Sequence, residues 1–275
     1  MKKKLILIAG PTAVGKTAEA IRLARELGTE VVSCDSRQFY HELRIGVARP
    51  TDEELAAVRH HFIACRSVTQ PYNIYEYEQE ALRCIAELME THDVVVAVGG
   101  SGLYIDALLH GVTTMPDPKP ELRLRLQNML LEEKCAILMQ VDPEYYARVD
   151  RNNPVRLQRA LEVYYTTGRP YSEVVGGWQP AQRPFDTEVR VLAMEPMELR
   201  ARIDRRVDAM MAEGLLDEVR GLSACRHLPT LRTVGYRELF PVVDGERWLD
   251  EAVAEIKINT WHYARKQMTW CRRYR

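Results

Sequence analysis

The run Gly10-Pro11-Thr12-Ala13-Val14-Gly15-Lys16-Thr17 constrains this chain more than any other feature. It follows the continuous apolar run Leu5 to Ala9 and precedes apolar residues at helical spacing, Ala18, Ile21, Leu23, Ala24 and Leu27. Strand, glycine loop and helix in that order give the pattern G-x-x-x-x-G-K-[ST] a mechanism. The glycines let backbone N–H groups turn onto phosphate oxygens, and the helix N-terminus adds its dipole. Lys16 supplies a point charge, and the Thr17 hydroxyl is a ligand for Mg²⁺. Residues Gly10, Pro11, Thr12, Ala13, Val14, Gly15, Lys16 and Thr17 are therefore assigned to a diphosphate or triphosphate, by shape alone that of ATP.

The rest of the chain supplies what such a loop needs behind it. Val31-Val32-Ser33 and Val94 to Val98 are β-branched runs, the second preceded by a helical pattern from Tyr75 to Glu90, as βαβ units with a buried parallel sheet require. Glu188 to Met194 reads as a further strand. Between Met115 and Phe185 the character changes: prolines cluster at 116, 118 and 120, helical patterns cover Glu121 to Glu133 and Pro154 to Thr167, and a Gly/Pro-rich stretch runs from Gly176 to Pro184. The expected fold is α/β, a P-loop NTPase-like parallel sheet flanked by helices with a mainly helical insertion. Residues 1–114 and 186–275 form the core and 115–185 the insertion. Two long amphipathic helices, Pro196 to Glu213 and Asp250 to Trp270, are expected on either side of a turn-rich stretch, His227 to Val243.

A net charge of −1 with 46% apolar and 28% charged residues excludes a disordered or fibrous chain and points to no partner by bulk charge. The six cysteines contain no C-x-x-C pair, so neither a zinc site nor a disulfide framework is indicated, and a reducing cytoplasm fits. The first apolar run is too short for a signal peptide or a membrane span. Nothing demands more than a monomer.

Which phosphate compound is bound depends on the other residues. A phosphoryl-transfer enzyme with this loop usually presents an acid for Mg²⁺ at the end of a core strand. Val94 to Val98 instead runs into Gly99-Gly100-Ser101-Gly102, whereas Val31-Val32-Ser33-Cys34 ends in Asp35. Asp35 has two readings: a helix cap or outer Mg²⁺ ligand, and a general base that accepts a proton from an attacking amine. Arg232 and Arg237 read either as a clamp on a diphosphate or as solvated helix-start residues. Arg148, Arg151, Arg156, Arg159 and Arg169, interleaved with Tyr145, Tyr146, Tyr164, Tyr165 and Tyr171, suit looped RNA, although amphipathic helices also expose arginine and bury tyrosine. A P-loop small-molecule kinase using ATP is the main rival to an RNA-directed enzyme.

Taken in order, the motifs resemble the tRNA dimethylallyltransferase (tRNA isopentenyltransferase) family. They are GPTAVGKT at 10–17, CDSRQFY at 34–40, IGVARP at 45–50, GGSGLY at 99–104, RLQRALEV at 156–163, TVGYR at 233–237 and KQMTW at 266–270. The resemblance implies transfer of a dimethylallyl group from dimethylallyl diphosphate to N6 of adenine at position 37 of tRNA, beside the anticodon, with Mg²⁺ required. It places the diphosphate on Thr12 to Thr17 and makes Asp35 the base. It gives tRNA contacts to Asp35, Ser36, Arg37, Gln38, Ser101, Arg123, Val155, Arg156, Leu157, Gln158 and Arg159. Arg232 would help Lys16 neutralise the leaving pyrophosphate.

Overall fold

The structure, a computed structural model, describes residues 3–274 except 71, 114, 116 and 178. The chain opens with β1 (Lys4–Ala9), α1 (Lys16–Leu27), β2 (Val31–Ser33), α2 (Asp52–Ala57), β3 (His60–His61), α3 (Ile74–Thr91), β4 (Val94–Gly99) and α4 (Gly102–His110). Five helices follow: α5 (Pro120–Asn128), α6 (Leu131–Val141), α7 (Pro143–Arg148), α8 (Pro154–Thr167) and α9 (Tyr171–Gly176). The chain then forms β5 (Asp186–Val191), α10 (Pro196–Ala212), α11 (Leu215–Gly221), α12 (Tyr236–Val243) and α13 (Leu249–Cys271).

The strands form one parallel sheet in the order β3-β2-β4-β1-β5. A parallel sheet is covered on both faces, which is why β1 and β4 are continuous apolar runs rather than alternating ones. Leu5, Leu7, Ala9, Val95 and Ala97 pack on one face with Tyr77, Ala81 and Ile85 of α3 and Ile105 and Leu108 of α4. Ile6, Ile8, Val96 and Val98 pack on the other with Ala20, Leu23 and Ala24 of α1. From β1 the chain passes to β2, two places away, and it later returns to β1's other side as β5. The strand order reverses at β1, so a ligand crevice belongs beyond the carboxyl ends of β1, β4 and β2.

The described residues divide into two compact units, 1–110 with 182–275, and 111–181. The sequence boundaries were 114/115 and 185/186; residues 182–185 lie with the core because Arg183 and Phe185 are anchored there. The Arg183 guanidinium donates to Leu108 O (2.9 Å), Ala107 O (2.6 Å) and the Glu78 carboxylate (2.8 Å). The insertion has its own apolar centre of Leu126, Leu138, Val149, Leu157, Ala160 and Leu161. Its buried Asp142 accepts from Tyr145 N at the start of α7 and from both Ser172 N and Ser172 Oγ in α9.

Four local expectations change. The helix expected over Glu121 to Glu133 is two helices, because Met129 and Leu130 are extended and Glu133 accepts from Leu130 N (3.0 Å), capping a new start. Inside the turn-rich stretch lies α12, capped by Glu238, which accepts from Gly235 N (2.8 Å). The last strand begins at Asp186, earlier than the apolar pattern indicates. The two-residue edge strand β3 has no sequence pattern long enough to reveal it.

Candidate active site

The phosphate loop joins the end of β1 to α1. Gly15, the residue before α1, has φ +101°, and Ala13 has φ +65°, so the backbone is held in left-handed turns that aim N–H groups inward. Thr12 is fixed from two sides: its N–H donates to Gln267 Oε1 (2.8 Å) and its hydroxyl accepts from Arg206 (3.0 Å). The Lys16 ammonium donates to Pro11 O (2.7 Å). Loss of solvation lowers Lys16 from its usual value to about 8, opposed in part by the Asp35 carboxylate. Arg206 is lowered by the same cause and is also held up by Asp35.

Asp35 follows β2, and its Oδ1 accepts from Arg37 N (2.8 Å) and Gln38 N (3.3 Å). It thus caps the turn it begins, the plainer of its two sequence readings. It also lines a cavity of about 260 Å³ with Thr12, Lys16, Thr17, Ser36, Arg37 and Gln38. Asp35 is therefore placed for the sharper reading too. The lining also includes Gly99 and Gly100 at the end of β4, Thr233 to Gly235, and Arg206, Tyr263 and Gln267 from α10 and α13. Its apolar part is Val47, Val207, Met210, Leu215, Val234 and Ile256.

At this cavity Arg206 and Tyr263 escaped the sequence reading, and Gln267 stood in it only inside the KQMTW motif, without a role. Arg206 is the partly buried guanidinium beside the loop. Gln267 ties the loop to β4, since its Nε2 donates to Gly100 O (2.8 Å). Tyr263 faces Asp35, and burial raises its phenol. A signal was present: Arg206 extends the buried stripe Leu199, Ile203, Val207 of α10, and Gln267 extends Ala264 and Cys271 of α13. A polar residue at an apolar spacing is a pocket candidate.

Several assigned residues stand elsewhere. Arg232 is exposed and does not line the cavity; Arg206 occupies the place beside the loop that Arg232 was expected to fill. Ser101 is 8% exposed, and its hydroxyl accepts from Ser36 N (3.1 Å) and bonds to Ser36 Oγ (3.2 Å), so it braces Ser36. In the insertion, Arg123, Val155 and Arg156 are exposed, with Gln158 and Arg159 partly so. Leu157 is wholly buried in the insertion's core, so its side chain presents no surface there. The interleaved tyrosines divide: Tyr145, Tyr146 and Tyr171 pack on that core, while Tyr165 lies at the surface. Arg148, Arg151 and Arg125 cover the rings of Tyr145, Tyr146 and Tyr165 respectively.

Among the described residues no group of three or more His, Cys, Asp or Glu is arranged to hold a metal ion. Mg²⁺ bound through phosphate oxygens and water needs only one or two protein oxygens, and the Thr17 hydroxyl on the cavity wall suits that role. No described helix is long and apolar enough to cross a membrane.

The sequence matches the IPP transferase family over residues 38–274. The chain belongs to this family. It is 45% identical over 273 residues to tRNA dimethylallyltransferase 1 of Bacteroides thetaiotaomicron, covering 98% of this chain and 88% of that one. It is 42% identical over 277 residues to the tRNA dimethylallyltransferase of Christiangramia forsetii, covering 99% and 91%. Among solved structures it resembles the full-length tRNA isopentenylpyrophosphate transferase of Bacillus halodurans (TM-score 0.71, 34% identity, 98% and 87% covered). It also resembles a eukaryotic dimethylallyltransferase acting on tRNA (TM-score 0.83, 26% identity, 98% and 70% covered). The sheet of this IPP transferase family member is thus the P-loop NTPase-like one expected from the phosphate loop and the strand runs that follow it.

Proposed function

We propose that the protein transfers a dimethylallyl group from dimethylallyl diphosphate to N6 of adenine at position 37 of tRNA, releasing diphosphate. One observation carries the reading: a single cavity joins the phosphate loop, the Asp35 carboxylate and an apolar wall. Thr12, Lys16, Thr17 and Arg206 offer donors and positive charge to a diphosphate. Val47, Val207, Met210, Leu215, Val234 and Ile256 offer a dry surface to a short hydrocarbon. The names of the relatives agree with this division. None of the relatives named above is a kinase.

As the allylic C–O bond breaks, negative charge grows on the diphosphate and the carbon becomes cation-like. Lys16, Arg206 and the loop N–H groups are fixed before reaction, so they stabilise that state more than the ground state. The N6–C bond forms as the C–O bond breaks, and Asp35 takes the N6 proton. Thr17 would hold Mg²⁺, which when bound adds positive charge against the diphosphate oxygens. The adenine must leave its stack to reach the cavity, which requires a grip on the surrounding RNA. Ser36, Arg37 and Gln38 beside Asp35, and the exposed Arg123, Val155 and Arg156 with the partly exposed Gln158 and Arg159 of the insertion, are assigned to that grip. The six scattered cysteines, with no C-x-x-C pair, fit the cytoplasm, and we take the protein as a monomer.

Incubation with unmodified tRNA, Mg²⁺ and either labelled dimethylallyl diphosphate or γ-labelled ATP tests the reading. Label is expected in RNA from the isoprenoid only. Transfer of phosphate to a metabolite instead would establish the kinase.

A further inference from the structure

The cavity wall formed by Gly46, Val47 and Ala48 belongs to no helix or strand. Such a segment needs outside support if it is to shape a ligand, and here one side chain supplies most of it. The Glu218 carboxylate on α11 accepts from three successive backbone N–H groups: Arg44 (3.1 Å), Ile45 (2.8 Å) and Gly46 (3.0 Å). It also accepts from the Tyr236 hydroxyl (2.6 Å). Consecutive N–H groups turned to one side form an anion-binding concavity, and a tethered carboxylate fills it here as a free anion would.

Packing makes the fit narrow. A Cβ on Gly46 would lie 2.6 Å from the Tyr236 ring, so the segment passes directly over the aromatic face. Ile45 and Val47 pack on the cluster that contains Tyr236, Leu215, Val219 and Leu239. Burial, and then the Glu218 charge, push the Tyr236 phenol upward, so it remains a donor. On the cavity side, Gln38 Nε2 donates to Val47 O (3.3 Å) and Ala48 O (3.0 Å). Gln38 in turn is held by its own N–H on Asp35 Oδ1. A continuous chain of hydrogen bonds therefore runs from Glu218 through the 44–48 segment and Gln38 to Asp35.

We propose that Glu218 is a positioning residue that fixes the 44–48 wall of the donor cavity and thereby limits the prenyl chain the cavity accepts. This rests on the donor being a prenyl diphosphate. With the wall fixed, Val47 is held on the apolar lining, and on this proposal the lining has room for a five-carbon chain but not for a ten-carbon one. With the wall released, the lining widens, and the segment that holds Gln38 no longer steadies Asp35.

The test compares wild type with Glu218→Ala, Glu218→Gln and Tyr236→Phe in tRNA prenylation from dimethylallyl and geranyl diphosphates. Glu218→Ala is expected to raise KM for the five-carbon donor by about tenfold or more, since small misplacements at a reacting site are costly. It is also expected to raise the geranyl to dimethylallyl ratio of kcat/KM. Glu218→Gln keeps the volume and one acceptor oxygen and is expected to fall between; Tyr236→Phe, which removes one of four donors, shifts the same ratio least. Trypsin supplies a readout independent of the reaction. Arg44 is followed by Ile45 and is a cleavage site, whereas Arg49 precedes Pro50 and resists. Cleavage after Arg44 is expected to accelerate in Glu218→Ala. A variant that loses only thermal stability, with donor KM and chain-length ratio unchanged, overturns the proposal, and so does unchanged protection at Arg44. A wild type that uses neither prenyl donor refutes the functional reading instead, and the clamp is then decided by the trypsin result.

Discussion

The polar residues of the core and of the insertion are used in opposite ways. Around the phosphate loop they turn inward and are fixed by one another: Arg206 and Gln267 on Thr12, Ser101 on Ser36, Gln38 on Ala48. On the insertion, Arg148, Arg151, Arg156 and Arg169 stand at the surface above a small apolar centre. Their pairs, such as Arg148 with Glu144 and Arg169 with Glu173, are exposed contacts one helical turn apart that contribute little to stability. In the proposed function the first arrangement would stabilise charge that appears only during reaction, because nothing has to reorganise. The second leaves cations able to exchange a weak partner for a phosphate, which the proposed grip on RNA would need.

The comparison breaks first at Asp35. Asp35→Ala is expected to slow prenyl transfer by roughly 10² to 10⁴ while tRNA binding persists; unchanged single-turnover rates would leave Asp35 as a turn cap alone. Next is Arg206→Ala, expected to lower kcat by roughly 10² to 10³, as loss of a preorganised donor to a developing anion does. Arg232→Ala should have the smaller effect, and the reverse order in steady-state kinetics would return the leaving group to Arg232.

The other two predictions sharpen the insertion side. Leu157→Ala is expected to destabilise the insertion by about 2–5 kcal/mol in denaturant melts, because it opens a cavity in a small core. A fully stable variant with weakened tRNA binding would put Leu157 back on the RNA surface. Arg156→Ala and Arg159→Ala are each expected to reduce the slope of log affinity for tRNA against log salt by about 1 while the prenyl-transfer step keeps its rate. An unaltered slope would make them ordinary surface arginines.

What the sequence disclosed follows the same divide. The phosphate loop and Asp35 were legible because their function depends on local backbone: glycines that permit positive φ, a strand before, a helix after. The strands β1, β2 and β4 were legible because burial on both faces demands apolar runs; β5, at the sheet edge with exposed and half-buried residues, was legible only over its later part. Arg206 was overlooked, and Gln267 left without a role inside KQMTW, because α10 and α13 carry many polar residues and only the helix phase tells which one turns inward. Arg232 drew notice by its place in a conspicuous turn, yet being near a motif in sequence did not bring it to the cavity. Leu157 erred in the other direction: a motif read as one continuous contact surface contains, at helical spacing, the residues that hold the helix down. The break between α5 and α6 has no proline or glycine to announce it, since Glu133 caps a start that depends on how Leu126 and Leu138 pack.

Arg183 gives the molecule an unusual freedom of design. Its side chain joins the last turn of α4 to the segment leading into β5, so the core holds both places where the insertion departs and returns without help from the insertion itself. The 71 residues from 111 to 181 are then a cassette on a closed loop. Such a cassette can be lengthened, shortened or exchanged by evolution or by engineering, while the cavity around the phosphate loop is inherited intact.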